Sequence, residues 1–430
     1  MSRLSTGRTV DAGGGPVRVL IACDHIDYDG ALHGGGRQLI ELARALDRRL
    51  VDPTVCVLRG ASTLGAELRA EGLPFHFFGD ARFSPVSLIR LLWIIRRDRI
   101  EVVHLTDFGA CTLGRIAARL AGIPSIVQVI SHHSPGQPRG FPRYVELAYR
   151  ALAPHTSRVL AISDSVRDFA VKRMGFAPGS VEVLTYPLPR HSFAPATADA
   201  IESHRATHGI AAGDPVVGAV TRFYPAKGIE HLIDAFAVVR RAHPGAWLVL
   251  VGQGPEEAAL RARAKELAIA DRVVFTGFQR DAQAYVGGFD VAAVPSIEEG
   301  FGLVALEALA LGVPVVASRV GGLPDIVVDG VTGVLVEPAR PEALAGAIVR
   351  LLGDPALRRQ MGAAAKLDVQ RFSLDAYSGR LSEIYRELAA KSTRAPQAAA
   401  GGTRSSPSSA AHTPRTSSPA SISRTPSADL

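Results

Sequence analysis

Two carboxylates, Glu299 and Glu307, are separated by seven residues in the stretch Pro295-Ser-Ile-Glu-Glu-Gly-Phe-Gly-Leu-Val-Ala-Leu-Glu-Ala-Leu-Ala-Leu-Gly-Val-Pro314. The apolar run Val291–Val294 leads in, and helix formers fill about Gly302 to Leu311 before Gly312 and Pro314 stop them. The pattern predicts strand, loop and helix, with the first free amides at Gly302 and Leu303. Glu307 then lies about 7 Å along that helix. A helix start attracts an anion, because its unpaired N–H groups and its dipole both face it. Acids beside a phosphate would repel it, so Glu299 and Glu307 serve better as acceptors of hydrogen bonds from neutral hydroxyls. A ligand carrying both phosphate and hydroxyl groups fits, which is the chemistry of a nucleotide sugar.

A second set of charges supports the anion. Arg222 and Lys227 follow the predicted strand Val216–Val220, and Gly228 opens a helix that runs through Arg241. Lone basic residues are usually solvated, but two cations where a strand gives way to a helix suit phosphate. Gly34-Gly35-Gly36 lies between a strand, Val17–Cys23, and a helix, Arg37 to Arg49. Such a loop lets backbone approach a phosphate, and a plain turn explains it equally well. The fingerprint G-x-G-x-x-G is absent, so a nicotinamide-dependent dehydrogenase loses its main support. His104 and the pair His132-His133 follow predicted strands at Val102–Leu105 and Ser125–Ile130.

Five motifs occur in order: Thr221-Arg-Phe-Tyr-Pro-Ala-Lys-Gly228, Val251-Gly-Gln-Gly254-Pro, Phe275-Thr-Gly-Phe278, Glu299-Gly-Phe-Gly-Leu with Glu307-Ala, and Gly321-Gly-Leu-Pro-Asp325. Together they resemble retaining glycosyltransferases of the two-Rossmann-domain (GT-B) type, especially glycosyltransferase family 4. The resemblance implies Arg222 and Lys227 on the donor diphosphate, with the amides of Gly302 and Leu303. It implies Glu307 on ribose hydroxyls, Glu299 facing the donor sugar, Phe278 near the base, and a Gly35-Gly36 loop over the diphosphate. Of the histidines it favours His132 at the transfer centre, with His133 as the alternative. His104 also matches a family position, on the acceptor side with His133, and a packing role is as good a reading. The expected chemistry is transfer of a hexose-type sugar with retention, the leaving phosphate taking the acceptor proton. No metal and no cofactor beyond the nucleotide diphosphate sugar co-substrate are expected.

These residues need a scaffold, and 430 residues exceed what one core usually organises. Strands alternate with helical stretches throughout, which implies parallel sheets with helices on both faces and ligands at the carboxyl ends of the strands. The expected fold is α/β: two Rossmann-like doubly wound domains facing each other across a cleft. Its bounds are a disordered 1–16, an acceptor-side domain 17–190, a linker 191–213, a nucleotide-sugar-binding domain 214–373, a helix 374–390 that crosses back to the first domain, and a disordered tail 391–430.

Three cysteines, Cys23, Cys56 and Cys111, have neither metal-ligand spacing nor an even disulfide set, which suits a reducing cytoplasm. The first residues lack a signal-peptide core, and no run of about 18 apolar residues occurs. The net charge of +7 owes much to the tail, where Lys391, Arg394, Arg404, Arg415 and Arg424 face only Asp429. Nucleic acid is therefore not an expected partner. Ser84 to Arg99 reads as a basic amphipathic helix, either buried on the sheet with an arginine rim or resting on anionic lipid at the inner membrane face. The expected acceptor is a glycan, a lipid-linked or a small molecule, in envelope or extracellular polysaccharide synthesis. Three alternatives remain: a glycoside hydrolase using Glu299 and Glu307, an epimerase or phosphorylase on the same fold, and a noncatalytic nucleotide-sugar-binding protein.

Overall fold

A computed structural model of the chain describes residues 15–28, 31–32, 34–59, 68–79, 84–130, 142–188, 197–279 and 282–394. Counted along the chain, its first strands are Val17–Cys23 (β1), Asp27–Tyr28 (β2), Ala31–Leu32 (β3), Val51–Val57 (β4) and Phe75–Phe77 (β5). Val102–Leu105 (β6), Ser125–Val129 (β7), Arg158–Ala161 (β8) and Val181–Val183 (β9) follow. All but the small antiparallel β2–β3 pair join one parallel sheet in the order β5-β4-β1-β6-β7-β8-β9. The second sheet contains Val216–Val220 (β10), Trp247–Val251 (β11), Val273–Gly277 (β12), Val291–Val294 (β13), Val315–Ser318 (β14) and Gly333–Val336 (β15). It is parallel throughout, in the order β12-β11-β10-β13-β14-β15.

The central strands, such as Leu20-Ile-Ala and Val291-Ala-Ala-Val, are apolar on both faces because helices cover both faces. In each sheet the chain fills one side of its first strand and then returns to fill the other. The direction of winding therefore reverses between β1 and β6, and again between β10 and β13. Helices leaving adjacent strands there go to opposite faces and leave a crevice at the carboxyl ends. These two crevices hold the chemistry described below. The paired, doubly wound parallel sheets expected from the alternation are those observed. One apolar core runs through both, with Val127, Val159 and Tyr186 of the first half and Phe301, Leu323 and Phe372 of the second.

The last helix, Leu374–Arg394, follows the second sheet in sequence but buries Leu381, Ile384 and Tyr385 against Val19, Ile21 and Ile126 of the first. It carries a buried polar network. His104 Nε2–H donates to Gln128 Oε1 at 3.0 Å, Tyr385 donates to His104 Nδ1 at 2.6 Å, and Gln128 Nε2 donates to the Tyr377 hydroxyl at 3.0 Å. Burial lowers the His104 pKa to about 4, so the ring is neutral. An unfolded histidine titrates near 6.5, so the folded state gives up protons that the unfolded state binds. Stability is fully present above about pH 6.5 and falls by roughly 3 kcal/mol as the pH drops towards 4. The check is urea unfolding across that range, in which Tyr385→Phe is also expected to cost about 1–3 kcal/mol at neutral pH by stranding Nδ1.

Two local expectations are corrected. Gly34-Gly35-Gly36, expected as a loop before a helix from Arg37, form the first turn of a helix, Gly34–Ala45. A side chain at position 36 would run into the Ile26 backbone carbonyl, so that glycine lets the helix sit against the chain leaving β1. The basic helix spans Pro85–Arg97 and buries Ser87, Leu91, Ile94 and Ile95, yet its outer face is not purely basic. Ile89 is 66% and Trp93 54% exposed there, beside Arg96 and Arg97, with the Arg97 guanidinium 4.2 Å from the Trp93 ring centre. No described helix is long and apolar enough to cross a membrane.

Candidate active site

The crevice between β10 and β13 brings together Lys227, Glu299, Gly302 and Leu303 of the predicted site residues. After β10 the chain makes a short turn, Pro225–Lys227, which Gly228 closes in a left-handed conformation. After β13 comes the loop Pro295–Phe301, then Gly302 at φ 110° and the helix Leu303–Ala310. The loops are knitted together, since the Ala226 carbonyl accepts the amides of Ile297 and Glu298 at 2.9 and 3.2 Å. Lys227 Nζ consequently donates to Glu299 Oε2 at 2.7 Å, and Ser296 Oγ donates to the same oxygen at 3.1 Å. The amides of Gly302, Leu303 and Val304 precede the first helical bond, from Ala305 N–H to the Gly302 carbonyl, at the end of a helix where an anion is favoured.

A cavity of about 330 Å³ lies over this cluster. Lys227, Ser296, Glu299, Gly302 and Leu303 form its wall from the second sheet, while Ile130, Ile162 and Tyr186 close it from the first. Two hydrogen bonds cross between the halves at its edge. Ser163 Oγ donates to the Gly300 carbonyl at 3.0 Å, and the Asp164 amide donates to Asp325 Oδ2 at 3.0 Å. Tyr186 meets Phe301 edge to face at 6.1 Å. Behind the loop, Gly321 at φ 58° lies so close to Glu299 that a Cβ would fall on its carbonyl oxygen.

The remaining candidates fall outside this wall. Arg222 is exposed two residues beyond β10, and Phe278, 54% exposed, follows β12. Glu307 is half-buried one turn along the helix from Leu303. Gly35 lies in the first turn of the helix Gly34–Ala45, while Gly36 and His104 line a separate small cavity in the first half. Both His104 ring nitrogens are engaged by the network described above. His132 and His133 lie outside the described residues. The sequence reading passed over Ser163, Ser296 and Asp325. Ser163-Asp164 had a signal, because serine before an acidic first turn after a strand marks a helix cap, and Ser163 Oγ does accept the Val166 amide. No spacing rule pairs residue 163 with residue 300.

Two family models match the chain. The model described as glycosyl transferases group 1 matches residues 200–368, and that described as glycosyltransferase family 4 matches residues 32–185. An α-D-kanosaminyltransferase of Streptomyces kanamyceticus is 30% identical over 317 residues, covering 69% of this chain and 82% of that protein. A GDP-mannose-dependent α-(1-6)-phosphatidylinositol monomannoside mannosyltransferase of Mycolicibacterium smegmatis is 34% identical over 293 residues, covering 66% and 75%. A D-inositol 3-phosphate glycosyltransferase of Segniliparus rotundus is 41% identical over 204 residues, 46% of this chain, and the chain spans only 45% of that relative's length. Among solved structures, Anabaena Alr3699/HepE in complex with UDP superposes with a TM-score of 0.76 at 23% identity, over 86% of this chain and all of the other. At that identity the shared feature is the fold.

Proposed function

Because the chain belongs to glycosyltransferase family 4, built on the GT-B fold, we propose that it transfers a hexose-type sugar with retention from a nucleotide diphosphate sugar to an acceptor hydroxyl. The observation that carries this reading is the Lys227–Glu299 pair at the helix start, inside a cavity walled by both sheets. In the transfer step the bond from the anomeric carbon to the diphosphate oxygen breaks as the acceptor oxygen bonds to that carbon on the same face. The acceptor proton passes to the departing phosphate. Lys227 and the amides of Gly302 and Leu303 stabilise the charge that grows on that phosphate, and Arg222 approaches it from the mouth. Glu299 accepts from hydroxyls of the donor sugar and Glu307 from the ribose. A glycoside hydrolase, which binds no diphosphate, would leave this lysine idle; an epimerase would give product without any acceptor.

Lys227 and Arg222 take the role of a metal on the diphosphate in this reading, which makes the transfer metal-independent. Names of relatives bound the donor: HepE was crystallised with UDP and UDP-glucose, and the M. smegmatis relative is named for GDP-mannose. The phosphatidylinositol mannoside in that second name supports a role in envelope or extracellular glycan synthesis. The exposed Ile89 and Trp93 beside Arg96 and Arg97 support peripheral contact with an anionic membrane, from the cytoplasmic side.

The test is a thermal-shift screen against UDP-, GDP- and ADP-sugars, with and without EDTA. One nucleotide class at about 100 times its dissociation constant is expected to stabilise the protein by about 2.7 kcal/mol. EDTA is expected to leave that shift unchanged. No shift with any donor would refute the donor site, and a shift abolished by EDTA would refute metal independence.

A further inference from the structure

The crevice between β1 and β6 holds a second group of polar side chains that the donor chemistry does not use. There a cavity of about 20 Å³, room for one hydroxyl group or one water, is lined by Gln38, Thr106 and Asp107. Ile130 and Tyr186 border both this cavity and the donor cleft, so the two lie side by side. Gln38 is 3% exposed, and its Nε2 donates to the Pro187 carbonyl at 3.2 Å. Its Oε1 is buried with no hydrogen-bond partner, a costly arrangement for an acceptor in a residue that lines the cavity.

Asp107 is held in a strained state. Its backbone sits at φ 63° and ψ 161°, a region that residues other than glycine rarely adopt. Its Oδ2 accepts the Asp24 amide at 3.1 Å and lies 4.0 Å from His25 Nδ1. Burial, and then the neighbouring Asp24 carboxylate, push the Asp107 pKa up to about 7, against the backbone amides of Asp24 and His25 and the Arg59 charge. Asp24 itself is occupied, since its oxygens accept the amides of Gly109 and Ala110 at the start of the helix Phe108–Ala121. Arg59 is turned to His25, with Nη2 3.2 Å from Nε2.

We infer that Gln38, Thr106 and Asp107 position the acceptor, and that the group they receive is a hydroxyl or amine of an unphosphorylated polyol or sugar ring. This rests on the transferase reading of the adjoining cleft. The Gln38 carbonyl oxygen and the Asp107 carboxyl in its ionised form accept hydrogen bonds, which calls for a donor such as a hydroxyl or amine, and the threonine hydroxyl completes the set. A phosphate here would face two carboxylates and the unsatisfied oxygen of Gln38, with one guanidinium to offset them. Residues at the carboxyl ends of β1 and β6 thus select the acceptor, while those at β10 and β13 hold the donor.

The experiment uses the full chain with whichever nucleotide sugar it turns over. Glucose, myo-inositol and glucosamine are offered as acceptors beside the phosphorylated forms of the first two. Products are expected from the unphosphorylated probes alone. Gln38→Leu and Asp107→Asn are expected to raise the acceptor KM at least about tenfold while the donor KM stays within about twofold. Asp107→Asn is also expected to raise the melting temperature at pH 8, because it removes a buried charge. That gain separates a loss of positioning from a loss of folding. Preference for a phosphorylated probe, failure of every unphosphorylated probe above transfer to water, or donor KM rising with acceptor KM would overturn the assignment. So would a fall in melting temperature for Asp107→Asn. Absence of nucleotide release with every donor would instead sink the transferase reading, and this inference with it.

Discussion

Replacing Lys227 by alanine is expected to lower kcat/KM for the nucleotide sugar by about a hundredfold to a thousandfold. That is the usual consequence of removing one fixed donor aimed at charge developing in a transition state, about 3–4 kcal/mol. Lys227 sits 30% exposed, 2.7 Å from Glu299, on a turn that the loop 297–298 grips by its backbone. Its position is set before any ligand arrives, so little reorganisation opposes its action. Its removal does further harm, because the Glu299 carboxylate is left without its cation beside an incoming diphosphate. Lys227→Arg is expected to recover part of the loss, since charge is restored on a bulkier, planar head. Steady-state kinetics with the donor identified by thermal shift check this. A change of less than about threefold for the alanine variant would show that the diphosphate lies elsewhere.

Gly321→Ala is expected to remove transfer activity and to destabilise the fold by about 2–5 kcal/mol. A left-handed backbone at φ 58° costs an alanine roughly 1–2 kcal/mol. The added methyl would also collide with the Glu299 carbonyl, and Gly322 presses on the Phe301 backbone in the same way. The loop that carries Glu299 therefore has to move. Its other face cannot yield freely, because Ser163 of the first half holds the Gly300 carbonyl. Calorimetry or urea unfolding gives the stability loss, and activity measured on the folded fraction gives the rest. Full activity in that fraction would show that the glycine turn shapes nothing at the site.

Fold and candidate site were legible from sequence to different depths. Strands such as Val216-Val-Gly-Ala-Val220 and Val291-Ala-Ala-Val294 announce themselves, because a strand buried on both faces must be apolar throughout. Gly302, the run of helix formers and Gly312 bounded the helix Leu303–Ala310 to within a residue, since caps act over one turn. The glycine run at Gly34–Gly36 misled, because glycine is tolerated in the first turn of a helix when a neighbouring backbone lies close. The helix Pro85–Arg97 was legible as amphipathic, but periodicity alone could not tell that Ile89 and Trp93 lie on its solvent side.

From the sequence alone came the family, two parallel sheets, and the set Lys227, Glu299, Gly302 and Leu303. All of these depend on contacts within a few residues, or on spacing that a strand–loop–helix unit imposes. Only the tertiary structure decided that Lys227 pairs with Glu299, which lies 72 residues away. The same is true of Ser163 holding Gly300, of Tyr385 engaging His104 across 281 residues, and of Gln38 and Asp107 sharing a cavity. Such pairs form where the winding of a sheet reverses and chain segments far apart in sequence end side by side. Local propensity carries no record of that, because it is the burial of both faces of each sheet that brings the segments together.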